Sequence, residues 1–177
     1  MWFDLADYYR RTPTKKYPER IVQGEDYRKL SSKERKNRKG HKYEVLRVGA
    51  CETAIVGVSL YHAFFSISPE GRVYTRLGYR WDGPSGPTVD TASFMRGSKN
   101  HDVWFQVLRE LDALIDKGKI TFSREWPTDR ALIWQRIFDA ANRDLRKHCR
   151  EDGMMWPRYH WVYRSVQRFG ASHAGKK

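Results

Sequence analysis

The sequence predicts an α+β domain: a small antiparallel β-meander followed by a three-helix unit, preceded by a basic N-terminal arm. Three observations carry this reading. Residues 43–81 are rich in Val, Ile and aromatics with a period of two. Residues 100–170 place apolar side chains at helical spacing. Residues 1–42 show neither pattern and concentrate Lys and Arg. The expected units are therefore an arm over 1–42, a single domain over 43–170 and a basic tail over 171–177. The 177 residues, 40% hydrophobic and 14% aromatic, suffice to bury a core of ordinary size.

The arm carries Arg10, Arg11, Lys15 and Lys16, and then Arg28, Lys29, Lys33, Arg35, Lys36, Arg38, Lys39 and Lys42. Trp2, Phe3, Tyr8, Tyr9, Tyr17 and Tyr27 are interleaved with them. Only short helical turns, at 5–10 and 32–37, are expected here. Two readings stand side by side. The second basic run is a binding surface for a phosphate-bearing or acidic partner, or the whole arm is a solvated charged extension. The net charge of +13 favours nucleic acid, anionic lipid or an acidic protein as partner without choosing among them.

Three strands are expected between Tyr43 and Trp81. Tyr43, Val45 and Val48 alternate roughly, and 53–65 is dense in β-formers. Ser66-Ile67-Ser68-Pro69-Glu70-Gly71 carries a turn signal. Val73, Thr75, Leu77 and Tyr79 then alternate with polar residues. The first helix is expected from about 100 to 117, with Trp104, Val107, Leu108, Leu111 and Ile115 on one face and Ser98 or Asn100 as cap. A second helix follows Thr128 as N-cap. It buries Trp134, Ile137, Phe138, Ala141, Leu145 and Cys149 and stops at Gly153. A third opens with Pro157, buries Tyr159, Val162, Val166 and Phe169, and ends at Gly170.

Candidate chemistry centres on 81–109. Trp81-Asp82-Gly83-Pro84-Ser85-Gly86-Pro87-Thr88 is a rigid loop able to aim backbone groups at a ligand, or a plain structural crossover. It is not a phosphate loop, since GxxxxGK[ST] is absent. His101 and Asp102 fall in the first turn of the expected helix, where the terminus favours neutral imidazole and ionised carboxylate. At about 100° per residue, His101 lies about 60° from Trp104 and Asp102 about 160° from it. His101 thus borders the core and Asp102 points outward. Asn142 lies about 80° from Trp134, also at the edge of a buried face, and antiparallel packing would let it fix the His101 tautomer. The alternative is that all three only cap and pack.

Phe94-Met95-Arg96-Gly97-Ser98, Asp90-Thr91 and His101-Asp102, together with the Trp81–Thr88 run, resemble a family of unknown function common in tailed phages and prophages. The likeness continues through Glu151-Asp152-Gly153-Met154, Tyr163 and Arg168-Phe169-Gly170. It implies a phage origin and no particular activity. The His-Asp pair is in turn distantly similar to that of secreted phospholipase A-two enzymes. That resemblance implies His101 as general base, Asp102 as calcium ligand, Phe105 as the supporting aromatic and Asn142 as the residue holding the His. The chain departs from that pattern because Phe105 lacks a hydroxyl and Asn142 a carboxylate. The disulfide framework is missing too.

Other chemistries find no support. His41, His62, His148, His160 and His173 lack HExxH-like spacing, and Ser85, Ser93 and Ser98 lack a GxSxG context. Cys51 and Cys149 form no CxxC and read as reduced thiols. No secretion signal or transmembrane run is expected, which suggests the cytoplasm of the infected bacterium or the virion. Two functions follow. One is a small phage structural or accessory protein that binds nucleic acid or another virion subunit through its arm. The other is a calcium-dependent, phospholipase-like hydrolase that uses His101 and Asp102 and docks its arm on an anionic membrane surface.

Overall fold

The computed structural model describes residues 43–45, 48–81, 83 and 91–175. The arm, with its candidate binding residues Arg28 to Lys42 and its expected short turns, lies outside the described residues. So do Asp82, residues 84–90 of the Gly/Pro loop, and Lys176 and Lys177.

The α+β class is what the chain adopts. Strands β1 (Tyr43–Glu44), β2 (Gly49–Glu52), β3 (Val58–Tyr61), β4 (Phe65–Ile67), β5 (Arg72–Thr75) and β6 (Arg80–Trp81) come first. Helix α1 (Ala92–Asp116), strand β7 (Ile120–Phe122), and helices α2 (Arg130–Glu151) and α3 (Trp156–His173) follow. β1 pairs with β6, and the main sheet has five strands in the order β2-β5-β4-β3-β7. Its middle, β3-β4-β5, is an antiparallel meander, with Leu60 opposite Ile67 and Ile67 opposite Val73. The Ser66–Gly71 turn signal is correct. Gly71 sits at φ +85°, and its N–H donates to the Ser68 carbonyl at 2.9 Å.

Three strand features depart from the expectation. The three strands expected between Tyr43 and Trp81 are six, β1 to β6, and the run over 53–65 is divided between β3 and β4. β7 was not anticipated, because three residues are too few for a period to show; it pairs antiparallel with β3, Ile120 opposite Leu60. The alternation after Val73 also breaks early. Thr75 ends β5, Leu77 is exposed on the following turn, and Tyr79 returns to the core.

One face of the sheet (Val58, Leu60, Phe65, Ile67, Val73) packs on α1 (Val103, Trp104, Val107, Leu108, Leu111) and α2 (Ile137, Phe138, Ala141) in one core. Fully burying side chains of this size stabilises by roughly 1.5–3 kcal/mol each, before ordering costs. A smaller cluster (Phe94, Leu145, Cys149, Met154, Val162) joins α3 to the near ends of α1 and α2.

The helix boundaries correct the sequence reading at several points. α1 begins after Thr91, two turns ahead of the expected cap, so Ser98 and Asn100 are buried within the helix. Asp129, not Thr128, caps α2: its Oδ1 accepts from the Leu132 N–H at 2.9 Å. α3 opens at Trp156 with Pro157 as its second residue, and Gly170 does not end it. The helix runs on to His173 and Ala174 is fully buried, so 171–175 belongs to the folded unit and not to a tail. Phe169 is exposed, and of the four expected apolar residues Val162 alone is fully buried.

Candidate functional site

Antiparallel contact between α1 and α2 sets the geometry of the site. At Gly97 the two helices approach closely. A Cβ there would lie 3.1 Å from Leu145 Cδ1 and 3.3 Å from both the Leu145 carbonyl oxygen and Cys149 Sγ. Four residues on, His101 faces Asn142. Four further, Phe105 stacks on Phe138 with ring centroids 5.7 Å apart. Each step of one turn along α1 is thus matched by a step back along α2.

His101 Nε2 donates to Asn142 Oδ1 at 2.8 Å, which the facing stripes of the two helices led us to expect. Because a carbonyl oxygen only accepts, Nε2 carries the ring hydrogen and Nδ1 the lone pair. The Phe105 ring covers one side of the imidazole at a centroid distance of 3.9 Å. Asn142 is fully buried and His101 is 7% exposed. Burial drives the His101 pKa down to about 4, against the opposing pull of the Asn142 bond. The ring is therefore neutral near pH 7, as expected, but for a different reason. His101 lies in the middle of α1, beyond the reach of a helix terminus.

The bond leaves Asn142 Nδ2 buried without a hydrogen-bond partner among the described residues, as is Asn100 Oδ1 one position before His101. Lys99 is also buried, and its ammonium donates to Thr75 Oγ1 on β5 at 3.2 Å. A helix expected to start near 100 leaves the burial of Lys99 and Asn100 out of view. From Thr91 onward, Lys99 falls four residues before Val103 on the buried side.

Asp102, next in the chain, is half-buried. Among the described residues, no three His, Cys, Asp or Glu side chains converge on one metal-sized position. Calcium takes about six to eight oxygens. Asp102 is the carboxylate that the calcium reading names, and residues 84–90 of the loop, whose backbone groups could aim at a ligand, lie outside the described residues.

A second polar group clasps the other end of the helix pair. Arg96 donates from Nε to Asp152 Oδ2 at 3.0 Å, and from one amino group to Asp152 Oδ1 at 2.8 Å and Glu151 Oε2 at 2.9 Å. The same amino group reaches the His148 carbonyl at 3.4 Å, so the guanidinium closes the C-terminal end of α2. His148, deeply buried, donates from Nε2 to the Glu52 carbonyl at 3.0 Å and lies 3.6 Å from Cys51 Sγ. Burial, reinforced by the Arg96 charge, lowers its pKa to about 4. Burial also pushes the Cys51 thiol up to about 11 and Cys149 to about 12; both are free, so neither is an activated nucleophile. Asp144 accepts from the Ala54 N–H at 2.8 Å, and burial raises its carboxyl pKa. These groups stitch α2 to β2 and the loop after it.

Comparison with family models, with curated proteins and with solved structures found no match.

Proposed function

We propose that the chain is a small phage structural or accessory protein that binds a polyanionic partner, and that His101 and Asn142 clasp two helices instead of forming a turnover centre. The observation that carries this reading is the enclosure of His101. One ring nitrogen is bound to an amide, Phe105 covers the ring, and 7% of the residue is exposed. An amide gains no charge attraction when the imidazole is protonated. A pKa near 4 also lies far below what a general base at neutral pH needs. The segments that resemble the phage family meet one another in packing. Arg96 binds Glu151 and Asp152, and Phe94 shares a cluster with Met154. Packing is thus a sufficient reason for those residue types.

The partner is inferred from charge. Residues 1–42 hold thirteen Lys and Arg against six Asp and Glu. A nucleic acid or an acidic virion subunit suits Arg28, Lys29, Lys33, Arg35, Lys36, Arg38, Lys39 and Lys42. Nucleic-acid binding by the full chain should weaken steeply with salt, and less steeply after replacing Lys29, Lys33, Lys36 and Lys39 by Ala. A flat salt response in the wild type would remove the arm from the proposal.

One observation favours the calcium-dependent hydrolase as a second reading. The Nε2–H bond leaves Nδ1 as the lone-pair nitrogen of a neutral ring, with Asp102 adjacent in the chain. Labelled phospholipid vesicles with calcium separate the two readings. The clasp predicts no turnover by wild type or by His101→Ala. Turnover by wild type that His101→Ala abolishes would establish the hydrolase.

A further inference from the structure

Helix α3 shows a feature that neither reading uses. Its eighteen residues include Arg158, Arg164, Arg168, His160 and His173, and no Asp or Glu. Met155 just before it, Trp156, Trp161 and Phe169 are 75%, 65%, 45% and 61% exposed. These are four of the ten large hydrophobic residues exposed among the described residues, gathered within 155–169. At about 100° per residue, Trp161, Arg164 and Arg168 fall within about 60° of one another, opposite Val162 and Gly170, which hold the helix to the domain. Arg168 lies 5.4 Å from the Phe169 ring centroid. Arg146 of α2 adds a further cation at the flank, over the rings of Tyr159 and Tyr163. The acidic groups preceding the helix, Glu151 and Asp152, are engaged by Arg96.

We propose that the outward face of α3 docks on an anionic lipid surface, with Trp161, and Phe169 at the edge of that face, entering the headgroup region and Arg164 and Arg168 binding lipid phosphates. A helix lying flat with aromatic tips and arginines together suits this boundary, where both the ring and the cation find a partner. Positive charge without carboxylates on the helix selects an anionic surface over a neutral one. A nucleic acid fits less well. It would satisfy the arginines but leave Phe169, 61% exposed at the edge of this face, in water.

The test uses the full chain carrying Ser165→Cys, labelled with a polarity-sensitive dye. Ser165 lies between Trp161 and Phe169 on this face. Cys51 and Cys149 are buried with raised thiol pKa values, so the new cysteine takes the label. The dye should shift to the blue with phosphatidylcholine vesicles containing phosphatidylglycerol and not with phosphatidylcholine alone. Arg164→Glu with Arg168→Glu should weaken the response more than tenfold, and Arg164→Lys with Arg168→Lys should retain most of it. Trp161→Ser should weaken it as well, giving a second variant should the double reversal misfold by circular dichroism. Vesicle binding without a dye shift would place the contact elsewhere, on the arm for example, and overturn the proposal. So would an unchanged response in the charge-reversed and Trp161→Ser chains, or a shift produced by an oligonucleotide and not by vesicles. None of these results depends on the arm's salt response, so the two proposals fail separately.

Discussion

A hydrogen bond between a neutral imidazole and a carboxamide works by shape and burial; one between imidazolium and carboxylate works by charge. Asn142→Asp would convert one into the other at a separation of 2.8 Å. An opposite charge at that range raises a histidine pKa by about one to three pH units, here from a starting value of about 4. Titration of the His101 ring followed by NMR should show that rise. An unchanged midpoint would mean the two side chains do not meet in solution. The partnership was legible in the sequence, since both residues sit at the edges of apolar stripes on helices expected to pack together. The cause of the neutral ring was not. It depends on the cover supplied by Phe105 and Asn142, which one-dimensional spacing does not report.

At the level of elements, apolar periodicity identified three helices but started α1 too late, at Ser98 or Asn100 as cap, and ended α3 too early, at Gly170. Gly97 and Gly170 each lie inside a helix where another element comes close. Gly97 faces Leu145 and Cys149; a Cβ at Gly170 would lie 3.1 Å from the Phe105 ring. Spacing alone does not separate a glycine that ends a helix from one that admits a neighbour. Gly97→Ala makes the distinction measurable. Helix propensity favours Ala over Gly by about 1 kcal/mol. Overpacking against the backbone oxygen of Leu145, which has little room to yield, costs about 1–3 kcal/mol. The expected net effect is a loss of about 1 kcal/mol in urea unfolding. A gain would show that α1 and α2 are less closely apposed than these distances require. β7 escaped notice for the complementary reason: its pairing with β3 is a tertiary contact, and its three residues carry no periodicity of their own.

For the molecule as a whole, two buried neutral histidines fix how folding responds to acid. His101 and His148 both have pKa values of about 4 in the folded state, against 6.5 when free. Above pH 6.5 neither the folded nor the unfolded chain protonates them, so their full contribution to stability is present. As the pH falls below 6.5 the unfolded chain takes up protons that the folded chain resists, and stability declines until the folded pKa near 4 is reached. At about 1.4 kcal/mol per pH unit, each histidine accounts for on the order of 3 kcal/mol across that window. Asp144 works in the opposite sense, because its raised pKa lets the folded state accept a proton first as the pH drops. Urea midpoints should therefore fall markedly between pH 7 and pH 5. His148→Gln, which keeps a donor for the Glu52 carbonyl but does not titrate, should remove about half of that decline and leave the part due to His101. A midpoint independent of pH over this range would mean that water reaches both rings. The helix clasp at His101–Asn142 and the stitch between α2 and β2 would then be looser than their 2.8 Å and 3.0 Å bonds imply.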